Sequence, residues 1–173
     1  YATNAGSGGI VPIQIACNFF NNDSPFSLRL TGSQGDVMKE SVQCSLTCAI
    51  DYIERNKDTY QIGNMKEYLE NKWKSGFHVH APSGATPKDG PSAGCAFTTG
   101  FISRILDKKI KNTIAMTGEI DLLGNVTKIG GLEYKINGGK KAGIKHFFIS
   151  NENKKDYEKI KKNDPKLCKG ITV

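Results

Sequence analysis

Residues 77–106 read FHVHAPSGATPKDGPSAGCAFTTGFISRIL. Three kinds of patterning follow one another in that stretch. Phe77, Val79 and Ala81 alternate with His78 and His80, the period of a strand with one apolar face. Residues 85–94 then combine two prolines, two glycines, a lysine and an aspartate, which is turn and loop chemistry. In "AGCAFTTGFISRIL" the residues Phe97, Phe101 and Ile105 recur at helical spacing and predict a buried helix. The polar loop ends on Ser92. That serine can cap the following helix, belong to an anion site, or act as a nucleophile.

Outward from this stretch, helices and short strands continue to alternate. "IVPIQIA" and "FSLRL" read as strands, and the intervening "CNFFNNDSP" reads as a turn. From Asp36 the period becomes helical, with Val42, Leu46, Ala49, Ile50 and Ile53 on one face and Asp36 as the expected cap. "NMKEYLENKW" has Asn64 followed three residues later by Glu67, the pattern of a capping box. Beyond the central helix, "TIAMT" and "NVTKI" read as strands joined through "GEIDLLG". "GGLEYKINGGKKAG" reads as a short helix entered through glycines, "KHFFIS" as a strand, "NKKDYEKIKK" as a basic amphipathic helix, and "GITV" as the start of a last strand. The pattern is that of a mixed α/β, α+β domain built in layers.

At 173 residues the chain is long enough for one domain with a real core. Its 38% hydrophobic and 24% charged residues are ordinary for a globular protein. No apolar run approaches the length that spans a bilayer, so no membrane partner is expected. The chain starts at Tyr1, so it reads as a fragment, and the absence of a targeting signal excludes nothing about the parent protein. Five scattered cysteines, Cys17, Cys44, Cys48, Cys95 and Cys168, form no CxxC pair and read as reduced thiols of an intracellular protein. Cys44 and Cys48 are spaced to share a helix face and read as core. The net charge of +7 permits nucleic-acid contact through a basic surface, although the C-terminal lysines also read as a solvated helix face.

The chemistry-bearing motifs are few. Neither GxGxxG nor a Walker A sequence occurs, so the domain itself should bind no ATP; no HExxH occurs, and His78 with His80 supplies too few ligands for a metal. Gly90-Pro91-Ser92-Ala93-Gly94 fits the letters of a GxSxG elbow, but no strand leads into it. Three histidines, His78, His80 and His146, leave a Ser-His-Asp triad open. A serine can also be activated by a lysine, provided that burial away from carboxylates lowers the amine below its free value of about 10.4. Lys135, in "GGLEYKING", has the glycine-rich and apolar surroundings for this, and Thr117 in "AMTGE" has the hydroxyl to orient an amine. Local surroundings alone do not select Lys135 from the other lysines.

"HVHAPSGATPKDGPSAG", "AMTGEIDLLGNVTKIGGLEYK" and "GGKKAGIKHFFIS", together with the earlier "TGSQGDVMKES", closely resemble the proteolytic domain of Lon proteases, in register from about Gly9 to Lys155. The resemblance implies a serine endopeptidase with Ser92 as nucleophile, Lys135 as general base and Thr117 holding the lysine amine. His78 and His80 match a His-x-His strand beside the site, and Gly90, Pro91 and Ala93 complete the nucleophile motif. Asp89 matches a loop acid that approaches the dyad lysine in inactive forms. The implied fold is a mixed sheet with helices, related to the second domain of ribosomal protein S5. The implied partners are polypeptide substrates and further copies in a hexamer. ATP and magnesium are implied for a preceding ATPase module, with no cofactor in this domain. The implied compartment is the cytoplasm or the mitochondrial matrix.

On this reading the loop has a purpose. Pro87 and Pro91 stiffen it, Gly90 and Gly94 let backbone approach a substrate, and the N–H groups at Ser92 and a neighbour face a developing oxyanion. Some residues depart from the family pattern. Ser83 stands where most members have glutamate, Glu133 replaces a basic residue, and no acidic residue occurs in the segment 3–8. Asn137, Gly138 and Gly139 replace better helix formers, which costs the helix roughly 2–3 kcal/mol and predicts a less rigid support for Lys135. Glu133 is expected to face solvent, because a carboxylate turned inward would raise the lysine. The family's closing strand and helix would follow Val173.

Overall fold

In the computed structural model, which describes residues 1–18 and 26–173, the chain folds as an α+β protein. Strands β1 (Gln14–Cys17) and β2 (Leu28–Thr31) precede helices α1 (Asp36–Arg55) and α2 (Met65–Trp73). Strand β3 (Phe77–His80) leads through the polar loop to α3 (Gly94–Ile105). Then come β4 (Ile114–Thr117), β5 (Glu119–Ile120), β6 (Val126–Thr127), α4 (Leu132–Lys141) and β7 (His146–Ile149). A single 3₁₀ turn (Asn151–Asn153), α5 (Lys154–Asn163) and α6 (Pro165–Cys168) complete the order. Most of the turn expected in "CNFFNNDSP" lies outside the described residues.

Among the described residues the strands divide over three small sheets. β3 is central in the first, antiparallel to β1 and parallel to β2. β4 and β7 form a parallel pair, and β5 and β6 an antiparallel one. β6 falls in "NVTKI", expected as a strand, whereas its partner β5 lies within "GEIDLLG", expected only to connect: Glu119 faces Thr127 and Ile120 faces Val126. "GITV" contributes a single bridge, Thr172 beside His146.

Two cores result. The first is built by α1, α2, β3 and α3 around Val42, Ile53, Phe77, Val79, Phe97 and Phe101. Phe77 stacks on Trp73 with ring centroids 4.8 Å apart and meets Phe101 edge-on at 5.4 Å. Each such phenylalanine contributes about 1.5–3 kcal/mol by leaving water. α1 and α3 cross closely because small residues line the contact. Ser45 is fully buried there and donates to the carbonyls of Ser41 (2.6 Å) and Gly94 (3.0 Å). The second core joins α4, β7, α5 and α6 through Leu132, Ile136, Ile144, Phe147, Ile160 and Leu167. Lys140 ties it to the chain's end, donating to the carbonyls of Lys166, Leu167 and Lys169 at 2.7–2.9 Å.

Capping is local at one helix and distant at another. Asn64 caps α2 as expected, its side chain accepting from the Glu67 amide at 3.0 Å. Asp36 does not cap α1: it is the first helical residue, and Gly35 holds the cap position without a side chain. The carboxylate comes instead from Asp89, whose Oδ1 accepts from the Met38 amide at 2.9 Å. A Cβ on Gly35 would meet that carboxylate at 2.3–2.7 Å, so only glycine admits it.

The glycines of α4 have a packing reason that outweighs their poor propensity. Helix α4 runs unbroken through them, and both Gly138 and Gly139 are buried. A Cβ on Gly138 would lie 2.2–2.4 Å from backbone atoms of Gly8 and Gly9, and one on Gly139 would lie 2.5 Å from the Phe147 ring. The helix that carries Lys135 is thus laid backbone to backbone on the segment 8–9, which supports it where intrinsic preference does not. Gly138→Ala is therefore expected to destabilise the protein by about 1–2 kcal/mol, because overpacking outweighs a helix-propensity gain of about 1 kcal/mol. A thermal melt checks this. The midpoint falls by several degrees if the contact is rigid and rises if propensity decides.

Candidate active site

Three elements from the two cores converge at one point. Ser92 precedes α3, Thr117 ends β4, and Lys135 lies in the second turn of α4. The exit of β4 is fastened to the head of α3 by backbone bonds in both directions. The Gly118 amide donates to the Ser92 carbonyl at 2.8 Å, and the Cys95 amide donates to the Gly118 carbonyl at 3.1 Å. A Cβ on Gly118 would lie 2.3 Å from a Val126 methyl and 3.3 Å from the Cys95 sulfur, so this fastening requires glycine.

Thr117 connects the other two residues. Its Oγ1 donates to the Ser92 carbonyl at 3.0 Å and accepts from the Lys135 amine at 3.0 Å. Among the described residues no hydrogen bond joins Ser92 Oγ directly to Lys135 Nζ. Lys135 is half-buried, and desolvation lowers its pKa from the ordinary lysine value, with the nearby Cys95 acting weakly in the opposite direction. Glu133 is exposed, as expected, and is not among the groups that shift Lys135. A neutral amine beside a serine is the arrangement in which a lysine can accept the hydroxyl proton.

The use of Ser92 as a helix cap finds no support in the geometry. Ala93 holds the cap position of α3, and no side chain caps that helix. Among the described residues the N–H groups of Ser92 and Ala93 donate to no protein acceptor. They lie at the start of α3, where the helix dipole favours negative charge. Gly90 has φ +100°, a conformation that suits glycine, and a Cβ there would meet nothing. Gly94 serves packing and not substrate approach: it is buried, and a Cβ on it would lie 2.9 Å from the Ile120 amide nitrogen and 3.2 Å from Ser41 Oγ.

The histidines are engaged elsewhere. Thr31 Oγ1 bridges His78 Nε2 and His80 Nδ1 at 2.8 Å each. Burial, then the Arg29 guanidinium and His80, hold His78 below its ordinary range. His146 is exposed on β7. No described histidine hydrogen-bonds to Ser92, and His78 and His80 are both held on Thr31. Asp89 turns to the start of α1 and also accepts from the Gly90 amide at 2.8 Å. These amides hold its carboxyl below the usual range. Pro91 offers its carbonyl to the Gly94 amide (3.0 Å) and to the Ser41 hydroxyl (3.3 Å), which fixes the residue before the serine.

Cys95 is the site residue that sequence reasoning missed, since it was read only as one scattered thiol. It is the second residue of α3, three residues after Ser92, and burial pushes its thiol up to about 11. The signal was its position one turn beyond the serine at a helix start. Cys44 and Cys48 donate to the carbonyls of Ile120 (3.5 Å) and Asp121 (2.8 Å), which fastens α1 to β5. Among the described residues no group of three His, Cys, Asp or Glu side chains is placed to hold a metal. No helix among them is long and apolar enough to cross a membrane. A cleft of about 420 Å³ between α1 and the β5–β6 turn, lined by Tyr52, Thr98, Ile120, Leu122 and others, includes none of Ser92, Thr117 or Lys135.

Residues 3–169 match the family described as Lon protease (S16) C-terminal proteolytic domain. A Lon protease homolog of Acanthamoeba polyphaga mimivirus is 54% identical over 170 residues, covering 96% of this chain and 16% of that protein. The Lon protease of Flavobacterium johnsoniae is 45% identical over 135 residues, covering 78% of the chain and 15% of that protein. A mitochondrial Lon protease homolog of Caenorhabditis elegans is 40% identical over 141 residues, covering 80% and 13%. The chain thus spans about a sixth of the length of such relatives. With a family match over nearly its whole length, the chain belongs to the Lon protease (S16) family, in the region of its C-terminal proteolytic domain.

Proposed function

We propose that this chain is the proteolytic domain of an ATP-dependent protease and hydrolyses peptide bonds with a Ser92–Lys135 dyad. The observation that carries the reading is the half-buried Lys135 amine held on Thr117 Oγ1, which is itself bonded to the carbonyl of Ser92. In this mechanism neutral Lys135 takes the proton of Ser92 Oγ as the oxygen attacks the scissile carbonyl. The C–O bond to Ser92 forms, and the carbonyl oxygen becomes an oxyanion. The N–H groups of Ser92 and Ala93 stabilise it at the head of α3. The lysine ammonium then gives its proton to the departing amine. A water repeats the sequence to release the acyl group and regenerate the serine. Thr117 keeps the amine aimed throughout.

The wider assignment follows the same reading. Unfolded or damaged polypeptides are the substrates, because the domain alone has no means to unfold one. ATP and magnesium act in an ATPase module elsewhere in the full-length protein, and the domain works within a hexameric ring in the cytoplasm or mitochondrial matrix. A fold related to the second domain of ribosomal protein S5 fits the helices and small mixed sheets. A peptide-boronate probe tests the chemistry, since boron forms a covalent tetrahedral adduct only with an activated nucleophile. Mass spectrometry should find the adduct on Ser92. A chain that is unlabelled, inactive on unfolded peptides and bound to nucleic acid with a steep salt dependence would instead be a silent module of the same fold.

A further inference from the structure

The nucleophile loop is held by a second lysine that the proposed chemistry does not use. Lys88 is half-buried, and its ammonium donates to three carbonyls: Gly32 at 2.9 Å, Ser83 at 2.7 Å and Thr86 at 2.7 Å. An ammonium has three donors and all three are used. Gly32 directly follows β2, whereas Ser83 and Thr86 belong to the loop itself. One charge thus folds residues 83–88 back on themselves and fastens them to the end of a strand. Charge-assisted bonds of this length are the strong ones.

The backbone of Lys88 adds to the anchor. Its N–H donates to the Ser33 carbonyl at 2.9 Å, and its carbonyl accepts from the Gly35 amide at 2.7 Å, a short parallel bridge beside β2. The next residue, Asp89, caps α1. Only Gly90 and Pro91 separate this double anchor from Ser92. Proline fixes φ at position 91, and the Gly90 amide is held by Asp89 Oδ1 at 2.8 Å, so the two linking residues are themselves tied. From the other side Ser92 is fixed by Gly118 and α3. We propose that Lys88 is a positioning residue that fixes the loop carrying Ser92 at the geometry needed for attack. Its effect on catalysis rests on the Ser92–Lys135 reading; its effect on the loop does not.

Removing the amine leaves three convergent carbonyls that repel one another and turn to water. The loop then loosens at its root. A displacement of about 1 Å at a reacting atom costs on the order of 100-fold in rate. In the full-length protein, Lys88→Met should lower kcat on a short unfolded peptide about 30- to 100-fold, with KM changed less than about 3-fold. The pH midpoint of activity should stay in place, since Lys135 is untouched. The Gly35 and Gly90 amides should exchange with solvent at least about 10-fold faster, while the amides of α2 keep their rate. Ethylammonium added to Lys88→Ala should restore part of kcat; tetramethylammonium, which has no N–H, should not. Unchanged exchange at Gly35 and Gly90 in Lys88→Met overturns the proposal whatever the chain's activity. Faster exchange with kcat per folded molecule within about 2-fold of the parent overturns it as well. Absence of boronate labelling in the unsubstituted protein counts against the dyad, and the exchange result then decides the role of Lys88 by itself.

Discussion

Lys135→Met is expected to lower kcat/KM by about three orders of magnitude or more, as losses of a dyad or triad member do. Methionine keeps much of the apolar stem and removes only the amine that Thr117 holds. Stability should rise, and its pH dependence identifies the cause. The Lys135 pKa is lowered on folding, chiefly by desolvation. Between that lowered value and the unfolded value of about 10.4, the unfolded chain binds more protons, so stability increases with pH across that window. Below it the folded protein carries a charged, half-buried amine and its full cost. The methionine variant lacks this slope and gains most on the acid side of the window. Activity of the unsubstituted protein should rise with pH through the same lowered value, because only the neutral amine accepts a proton. Lys135→Arg should fail as completely as methionine, since a guanidinium remains charged. Thr117→Val should cost less, about 1–2 kcal/mol in the barrier, because it frees the amine without deleting it. Profiles of kcat/KM against pH with denaturation curves at matched pH check all of these. A folded Lys135→Met protein with near-parental activity would transfer the base to another group.

What the sequence made legible was local or repeated. The alternation of Phe77, Val79 and Ala81 is visible within five residues, and the Asn64 cap within four, and both appear as expected. Ser92, Thr117 and Lys135 were legible through long motifs shared in register with a family, and the fold brings the three together. What stayed hidden depends on residues distant in sequence. No local rule reveals that α1 is capped from position 89, and Asp36 was the natural local choice. Gly138 lowers helix propensity in any single-sequence reading. Its reason appears only when the segment 8–9 lies 2.2–2.4 Å from where a Cβ would stand. β5 escaped because a strand of two residues carries no period, although its partner β6 was legible in "NVTKI". Lys88 looked like one more lysine of a basic chain until its three carbonyl partners were assembled around it.

Ser92→Ala should abolish peptide hydrolysis to the same degree as Lys135→Met and leave the fold unchanged. The hydroxyl makes no hydrogen bond among the described residues and caps no helix, so its loss removes no structural contact. Alanine retains the backbone carbonyl that accepts from Thr117 Oγ1 and from the Gly118 amide. Thr117 therefore still holds Lys135, and the lysine keeps its lowered pKa. The variant should lose boronate labelling and still show the parental dependence of stability on pH. Nucleophile and base act in one proton transfer, so their losses do not multiply. The double variant Ser92→Ala with Lys135→Met should be no slower than either single variant, the residual rate coming from binding and from the N–H groups of Ser92 and Ala93. Comparison of the three variants on one peptide, with the boronate adduct measured in parallel, settles the point. If the double variant lost the product of the two single effects, Ser92 and Lys135 would be acting independently, and they would not be a catalytic dyad.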